Sequence, residues 1–397
     1  VSSTGGALSG GTVSSAGGAL SGGTVSSAGG APSTGGGPST GGANGIGGTA
    51  STDVISSGGV PSTGGLFATG GSIATGGCGT VELDPDNCGT CGHTCLGGLC
   101  SAGKCLPTEI AAGLTDPSGL AISAEYVYVR DDSFDGSVKR LDVSGVLPPT
   151  VLASGFDRLS SLALSGNLLY FGSVNYLNGT DVTGQIAGFA TATSAVVYQV
   201  SVEGDAVYWL EATTGSTVFM RAPAGGATGT LMGSIDAGLG NFGVASNCIY
   251  AYTQKTDTLN AGIYKSCGDE FALVHATANT VTFSSAHASD ETWLYFREKT
   301  RGIMRVPLNG AANPTLVAAS SAGGPPIIDE NHVYYIEGAA TTTGCTTNWT
   351  LWRAPKTGKG TPEVLATALS CPNYLNMDDK SLYWSSSVDG TVVRLAK

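Results

Sequence analysis

Ten cysteines and four histidines carry most of the chemistry available to this 397-residue chain. Six of the cysteines, Cys78, Cys88, Cys91, Cys95, Cys100 and Cys105, fall in CGTVELDPDNCGTCGHTCLGGLCSAGKC, where only Val81, Leu83, Leu96 and Leu99 offer larger apolar side chains. So small a segment cannot fold by burial and needs covalent staples. Six sulfurs pair evenly, so three disulfides are expected, with their connectivity open. Zinc is the competing chemistry, because Cys88, Cys91 and Cys95 stand at finger-like proximity to His93. Six thiolates are too many for one tetrahedral site, so neither a metal nor another cofactor is expected.

The remaining constellations weaken on inspection of their context. Gly238-Leu-Gly-Asn-Phe-Gly243 matches the dinucleotide fingerprint, but it lies between strand-like segments and lacks the strand-turn-helix that positions a pyrophosphate. Gly37-Pro-Ser-Thr-Gly41 matches a nucleophile elbow in a low-complexity stretch where no oxyanion hole could be held. His93, His275, His287 and His332 have no partner at metal-ligand spacing, and no catalytic residue is assigned. Asp131, Asp132 and Asp135 place three carboxylates in one loop, a Ca²⁺-like set, although a solvated hairpin turn is the expectation. Trp349 and Trp352 stand in or beside a long Thr-rich excursion, 337–348, near Cys345. That excursion is the candidate ligand loop, suited to a sugar surface.

The elements that must hold these residues are announced by a repeat. Leu382 to Leu395 reads LYWSSSVDGTVVRL, two alternating strands around an Asp-Gly that suits a tight hairpin turn. Aligning its central tyrosine upstream gives Tyr128, Tyr170, Tyr208, Tyr250, Tyr295, Tyr334 and Tyr383, at intervals of 42, 38, 42, 45, 39 and 49 residues. A period near forty made of short β-patterned runs marks four-stranded propeller blades, and seven copies predict seven blades. Strand a is an apolar run such as PSGLAIS, strand b carries the Tyr, strand c is exemplified by GIMRVPL and strand d by PEVLATA. After TVVRLAK no strand d follows, whereas TEIAAGL (108–114) has the d pattern and precedes the first strand a. It is expected to complete the seventh blade and close the ring, removing open sheet edges. In this scheme Cys248 and Cys267 face one another across a hairpin, and Cys345 and Cys371 lie in loops on one face, so both pairs are predicted disulfides. Trp209, Trp293 and Trp384, beside the tyrosines, are expected in blade packing.

The repeats, LYWSSSVDGTVVRL most closely, resemble secreted propellers of the YWTD-like group. The likeness spans about 290 residues. It implies an all-β propeller fold and leaves function open, since such rings serve as adhesive, receptor and scaffold modules as well as enzymes. Most blades here lack the full motif, and seven units differ from the six typical of YWTD rings. The phrase DPDNCGTCGHTC resembles small Cys-rich modules that follow Gly/Ser/Thr-rich linkers in secreted proteins of myxobacteria and their relatives, which implies secretion.

Three segments result: a low-complexity tail 1–77, a Cys-rich module 78–106 and a propeller 107–397. The tail holds 26 of the 62 glycines, with Asp53 its single charge and Phe67 its single aromatic ring. It cannot bury enough apolar surface to offset chain entropy. A flexible spacer, close stacking of many copies through the paired glycines, and a carrier of O-linked sugars are the three readings of it. The formal charge of -12 argues against nucleic acid and anionic membranes as partners. No apolar run is long enough to cross a bilayer. The cysteine count points to an oxidising compartment, extracellular or cell-surface and bacterial in character, and a start at Val-Ser-Ser reads as a processed or truncated chain without an amino-terminal Cys for a lipid anchor. The sequence thus leads to a non-enzymatic structural protein that self-assembles through its tail. A tethered adhesion module, whose propeller binds glycan or a cell-surface protein, is the alternative, and a propeller lyase or hydrolase ranks behind both.

Overall fold

The computed structural model describes residues 78 and 80–397, apart from 133–135, 185–188, 194, 213–214, 227, 237–240, 256–258, 269, 278, 285–287, 311–312, 321 and 339–347. The tail 1–77 and the assembly expected of it lie outside the described residues. Within them every regular element is a strand. Seven antiparallel four-stranded sheets form a seven-bladed β-propeller, and a two-stranded ribbon, Cys100–Ser101 with Lys104–Cys105, belongs to the Cys-rich segment.

Blade 1 runs Pro117–Ile122, Tyr126–Asp131, Gly136–Asp142 and Thr150–Phe156, paired in that order. Blades 2 to 6 occupy 162–192, 196–235, 242–276, 281–318 and 327–369 with the same order. Blade 7 is composite. Pro372–Met377, Ser381–Ser386 and Thr391–Ala396 are joined by Thr108–Ala111, whose Thr108 and Glu109 sit opposite Arg394 and Val393.

Seven apolar clusters form the core, one in each blade-to-blade interface. Because each blade is sandwiched between two others, strand b is buried on both faces. Tyr334 packs towards blade 7 and its neighbour Tyr335 towards blade 5. This is why these strands read LYF or VYY, continuous apolar runs rather than alternating ones. The seven repeat tyrosines are all buried and each faces the following blade. Trp209 and Trp384 are buried beside them, whereas Trp293 is half-buried beneath the Arg305 guanidinium, 4.2 Å from the ring centroid.

The outer c–d pairs of blades 1, 3, 4, 5, 6 and 7 each carry a register shift, the kind of irregularity that discourages edge-to-edge association. The last hairpin differs from the expected tight turn. Ser386 pairs with Thr391, leaving a four-residue loop in which Gly390 alone adopts positive φ (65°). Ser386 Oγ accepts from the Asp389 amide at 3.2 Å and so fixes the longer loop. Gly390 is needed there, since an added Cβ would lie 2.3 Å from the Leu114 carbonyl.

The Cys-rich module is bound to the ring rather than loosely appended. Cys78–Cys91, Cys88–Cys100 and Cys95–Cys105 are its disulfides. Cys88, Cys95, Cys100 and Cys105 join one apolar cluster with Leu351, Leu369, Leu382 and Leu395 of blades 6 and 7. Polar bonds reinforce it: Lys104 Nζ donates to the Val364 carbonyl at 2.9 Å and Arg394 Nη2 to the Leu96 carbonyl at 2.6 Å. The His93 ring lies 2.6 Å from the Cys88 carbonyl through Nδ1 and 2.7 Å from the Lys397 carbonyl through Nε2.

Candidate functional site

The innermost strands surround a central cavity of about 430 Å³ to which all seven blades contribute. Most of its amides and hydroxyls lie on or beside strand a, the innermost strand of each blade. Most of them stitch blades together. Ser161 Oγ donates to the Val200 carbonyl at 3.0 Å and accepts from the Val200 amide at 2.8 Å. Gln199 does the same with both backbone groups of Phe242, at 2.7 and 3.1 Å. Asn241 Nδ2 donates to the Val281 carbonyl at 3.0 Å while its Oδ1 accepts from the Phe283 amide at 2.9 Å, and Asn376 Nδ2 donates to the Leu120 carbonyl at 2.8 Å. Two arginines of strand b extend the pattern. Arg130 bonds Ser118 Oγ at 2.8 Å and the Leu159 carbonyl of blade 2. Arg297 donates to the Gly324 carbonyl at 2.7 Å, Ser320 Oγ at 2.8 Å and the Ile336 carbonyl at 3.0 Å. Burial pushes the pKa of Arg297 down to about 10, with Glu337 opposing the shift.

What remains facing the cavity is aromatic and neutral. Tyr198 and Tyr374 are 45% and 41% exposed, and Phe283, Trp349, Pro325 and Pro372 are among the apolar residues of the lining. Trp349 Nε1 and Thr282 Oγ1 are buried polar atoms without a hydrogen-bond partner among the described residues. Arg130 is the single cation of the lining, which holds no carboxylate, histidine or cysteine among the described residues.

The sequence-predicted residues are scattered. Trp349 and Trp352 both belong to strand c of blade 6, Trp349–Pro355, but they part company there. Trp349 lines the central cavity, whereas Trp352 stacks on Tyr335 at 6.5 Å between blades 5 and 6. Most of the excursion preceding them, 339–347, and Cys345 with it, lies outside the described residues. Cys371, its expected partner, is disulfide-bonded. Cys248–Cys267 closes the b–c hairpin of blade 4 with a Cα separation of 4.2 Å. Cys88, Cys95 and Cys105, close enough together to suggest a metal site, are all consumed by disulfides.

Asp131 corrects an expectation. It is a buried carboxylate, not part of a solvated turn: Lys139 Nζ lies 2.5 Å from it, and the Thr115 and Asp116 amides donate to it at 2.9 and 2.8 Å. A buried charge persists only when it is paired and hydrogen-bonded in this way. Asp132 lies 3.5 Å from Arg130 and Asp135 lies outside the described residues. His275 sits 3.5 Å from the buried Glu298 carboxylate, away from the cavity, while His332 begins strand b of blade 6 and His287 lies outside the described residues. Gly243 of the GLGNFG stretch is in a blade strand, packed on Phe283, and Gly238 and Gly240 lie outside the described residues. Asn178, which opens the N-glycosylation-type triplet Asn178-Gly179-Thr180, is buried and donates to Ser173 Oγ at 2.8 Å.

Sequence reading missed a polar latch built on the repeat itself. Asp290, Asp329 and Asp378 each stand five residues before a repeat tyrosine, and each accepts from its phenol: Tyr295 at 3.3 Å, Tyr334 at 2.7 Å and Tyr383 at 2.8 Å. The other carboxylate oxygen accepts the amides that close the a–b turn. A lysine from the next blade completes two of them, Lys356 at 2.5 Å from Asp290 and Lys397 at 3.6 Å from Asp329. Burial raises the Asp329 carboxyl, but Tyr334, the Asn331 and His332 amides and Lys397 outweigh it and hold it below its ordinary value; Asp290 is lowered likewise, with Lys356 the leading opposing group. The recoverable signal was an Asp at a fixed offset from three tyrosines.

Comparison with known proteins places the fold alone. No family model matches the sequence, and no curated protein matches it. Solved structures do. Oligogalacturonate lyase in complex with manganese is similar over 73% of this chain and 92% of its own, with a TM-score of 0.55 and 12% identity. A catalytically inactive virginiamycin B lyase from Staphylococcus aureus with quinupristin is similar over 74% of this chain and 98% of its own (TM-score 0.52, 14% identity). Tricorn protease is similar over 73% of this chain but 34% of its own (TM-score 0.52, 10% identity). At such identities these likenesses establish a β-propeller and leave chemistry unassigned.

Proposed function

We propose that this chain is a non-enzymatic extracellular structural protein of the bacterial surface, in which segment 1–77 joins a filament or surface assembly and the propeller is displayed as a rigid head. The observation that supports this is the bonding of the Cys-rich module to the closing blade. The chain leaving residue 78 is tied by Cys78–Cys91 into a stapled module. That module is anchored to Arg394, Lys397 and Val364, so a pull on the tail is borne by disulfides and by the ring. Four disulfides among the described residues fit an oxidising compartment, and among those residues no helix is long and apolar enough to cross a membrane. The non-enzymatic reading rests on the cavity, most of whose amides are engaged in bonds between blades and whose described lining offers no acid–base pair.

The test is deletion of residues 1–77 followed by electron microscopy of the secreted material. The head is expected to remain folded while assemblies disappear; assemblies that persist without the tail refute the proposal. A tethered binding module remains the second reading, and the exposed aromatic surfaces of the central cavity are what favour it.

A further inference from the structure

The two exposed tyrosines of the cavity arise from a shared irregularity. In blade 3 the register between the first two strands shifts between Val197 and Gln199, which leaves Tyr198 as the extra residue. In blade 7 it shifts between Asn373 and Leu375, leaving Tyr374 as the extra residue, and Tyr374 has φ of 35°. A bulge on an innermost strand gives up ladder bonding and re-aims one side chain, and positive φ is unfavourable for a bulky residue. Packing offers no compensation, because both rings remain nearly half exposed. Blade 1 carries the same shift at Gly119, which has no side chain to aim; in blades 3 and 7 the local cost has an aromatic ring at the axis as its outcome.

We infer that the central cavity is a binding site for a neutral sugar, with Tyr198 and Tyr374 as the stacking platforms and the exposed amide of Asn373 as a hydrogen-bonding group. The ligand class follows from the lining. Flat rings beside single donors and acceptors suit a pyranose, whose C–H face is apolar and whose hydroxyls both donate and accept. The Asn373 amide both donates and accepts, as a sugar hydroxyl does. A charged sugar finds no counterpart: the described lining has no carboxylate, and the Arg130 guanidinium is engaged by Ser118, Leu159 and Asp132. The volume, about 430 Å³, falls in the small-ligand range of roughly 300–1,000 Å³. This inference is independent of the tail, since none of these residues lies within 1–77.

The test is calorimetric titration of the full chain with glucose, galactose, mannose, N-acetylglucosamine, their disaccharides, and glucuronic and galacturonic acids. Saturable binding of a neutral sugar is expected. Tyr198→Ala and Tyr374→Ala should each weaken it roughly fivefold to tenfold, and Asn373→Ala, which removes an exposed amide, should weaken it roughly fivefold. Near-UV circular dichroism checks that the variants are folded, and both tyrosines are exposed enough to be truncated without opening the core. No saturable binding by any neutral sugar overturns the inference, as does binding indifferent to both tyrosine variants or a preference for the uronic acids. Deletion of residues 1–77 should leave the affinity unchanged, so failure of the tail proposal and failure of this one are separable.

Discussion

Asp329, Tyr334 and Lys397 show how much of this ring depends on single polar contacts placed at apolar interfaces. The phenol of Tyr334 is buried against blade 7 and donates to Asp329, which also faces Lys397. Tyr334→Phe keeps the packing and removes one hydrogen bond to a charged acceptor, so it should cost about 1–2 kcal/mol, read as a lower urea midpoint with an unchanged slope. The same groups fix the pH profile. The carboxyls of Asp290 and Asp329 are held below their ordinary value in the folded state. Their contribution is therefore present above the unfolded value near pH ~4 and is lost as the pH falls through the folded value. Tyr250 and Tyr295 are shifted the other way, burial pushing both to about 12. The stability they give is present below the unfolded value near pH ~10 and is lost as the pH rises through the folded one. A stability plateau between those limits is expected in urea melts; a profile still rising steadily from pH 5 to 9 would refute this assignment.

At the scale of the strand, the polar residues of strand a act chiefly as fasteners. Asn241 bridges blade 4 to both a carbonyl and an amide of blade 5. Asn241→Ala leaves two buried backbone groups unpaired and should cost about 2–3 kcal/mol. Asn241→Asp keeps the acceptor for Phe283 but loses the donor to Val281, so it should rescue only part of the loss. Both effects are measurable by denaturant unfolding. The blade 4 hairpin is held further by Cys248–Cys267, and replacing both cysteines with serine should lower stability by about 2–4 kcal/mol under oxidising conditions and by nothing beyond the wild-type loss after full reduction. Amide hydrogen exchange would show whether blade 4 loosens before the others.

For the molecule as a whole, closure is the decisive contact. Blade 7 takes its outer strand from Thr108–Ala111, next to the Cys-rich module, and Ile110 and Ala111 join the blade 7–blade 1 core. Two truncations separate the parts. Removing residues 1–106 discards the module but keeps the closing strand, and the ring should remain folded with reduced stability, since the module's cysteines cover the blade 6–blade 7 cluster. Removing residues 1–111 leaves Thr391–Ala396 as an open edge, which should bring aggregation visible by light scattering. A monomeric, cooperatively unfolding 112–397 fragment would show that closure matters less than the topology implies.

The repeat tyrosines, the forty-residue period and the displaced TEIAAGL strand were enough to determine the seven-bladed ring and its closure, because four-stranded blades impose a fixed rhythm of burial on the chain. The candidate site was far less legible. Trp349 and Trp352 are three residues apart and look equivalent in sequence, yet one reaches the axis and the other fills a blade interface. Tyr198 and Tyr374 carry no sequence mark, since a bulge is a property of how two strands pair. Asp131, read as solvated from its neighbours, became a buried ion pair once Lys139 and the Thr115 and Asp116 amides converged on it. Local pattern thus determined which strands form and in what order, because burial follows sequence periodicity. Only the tertiary structure decided which polar and aromatic groups meet at the axis, because that depends on register and on contacts between blades about forty residues apart.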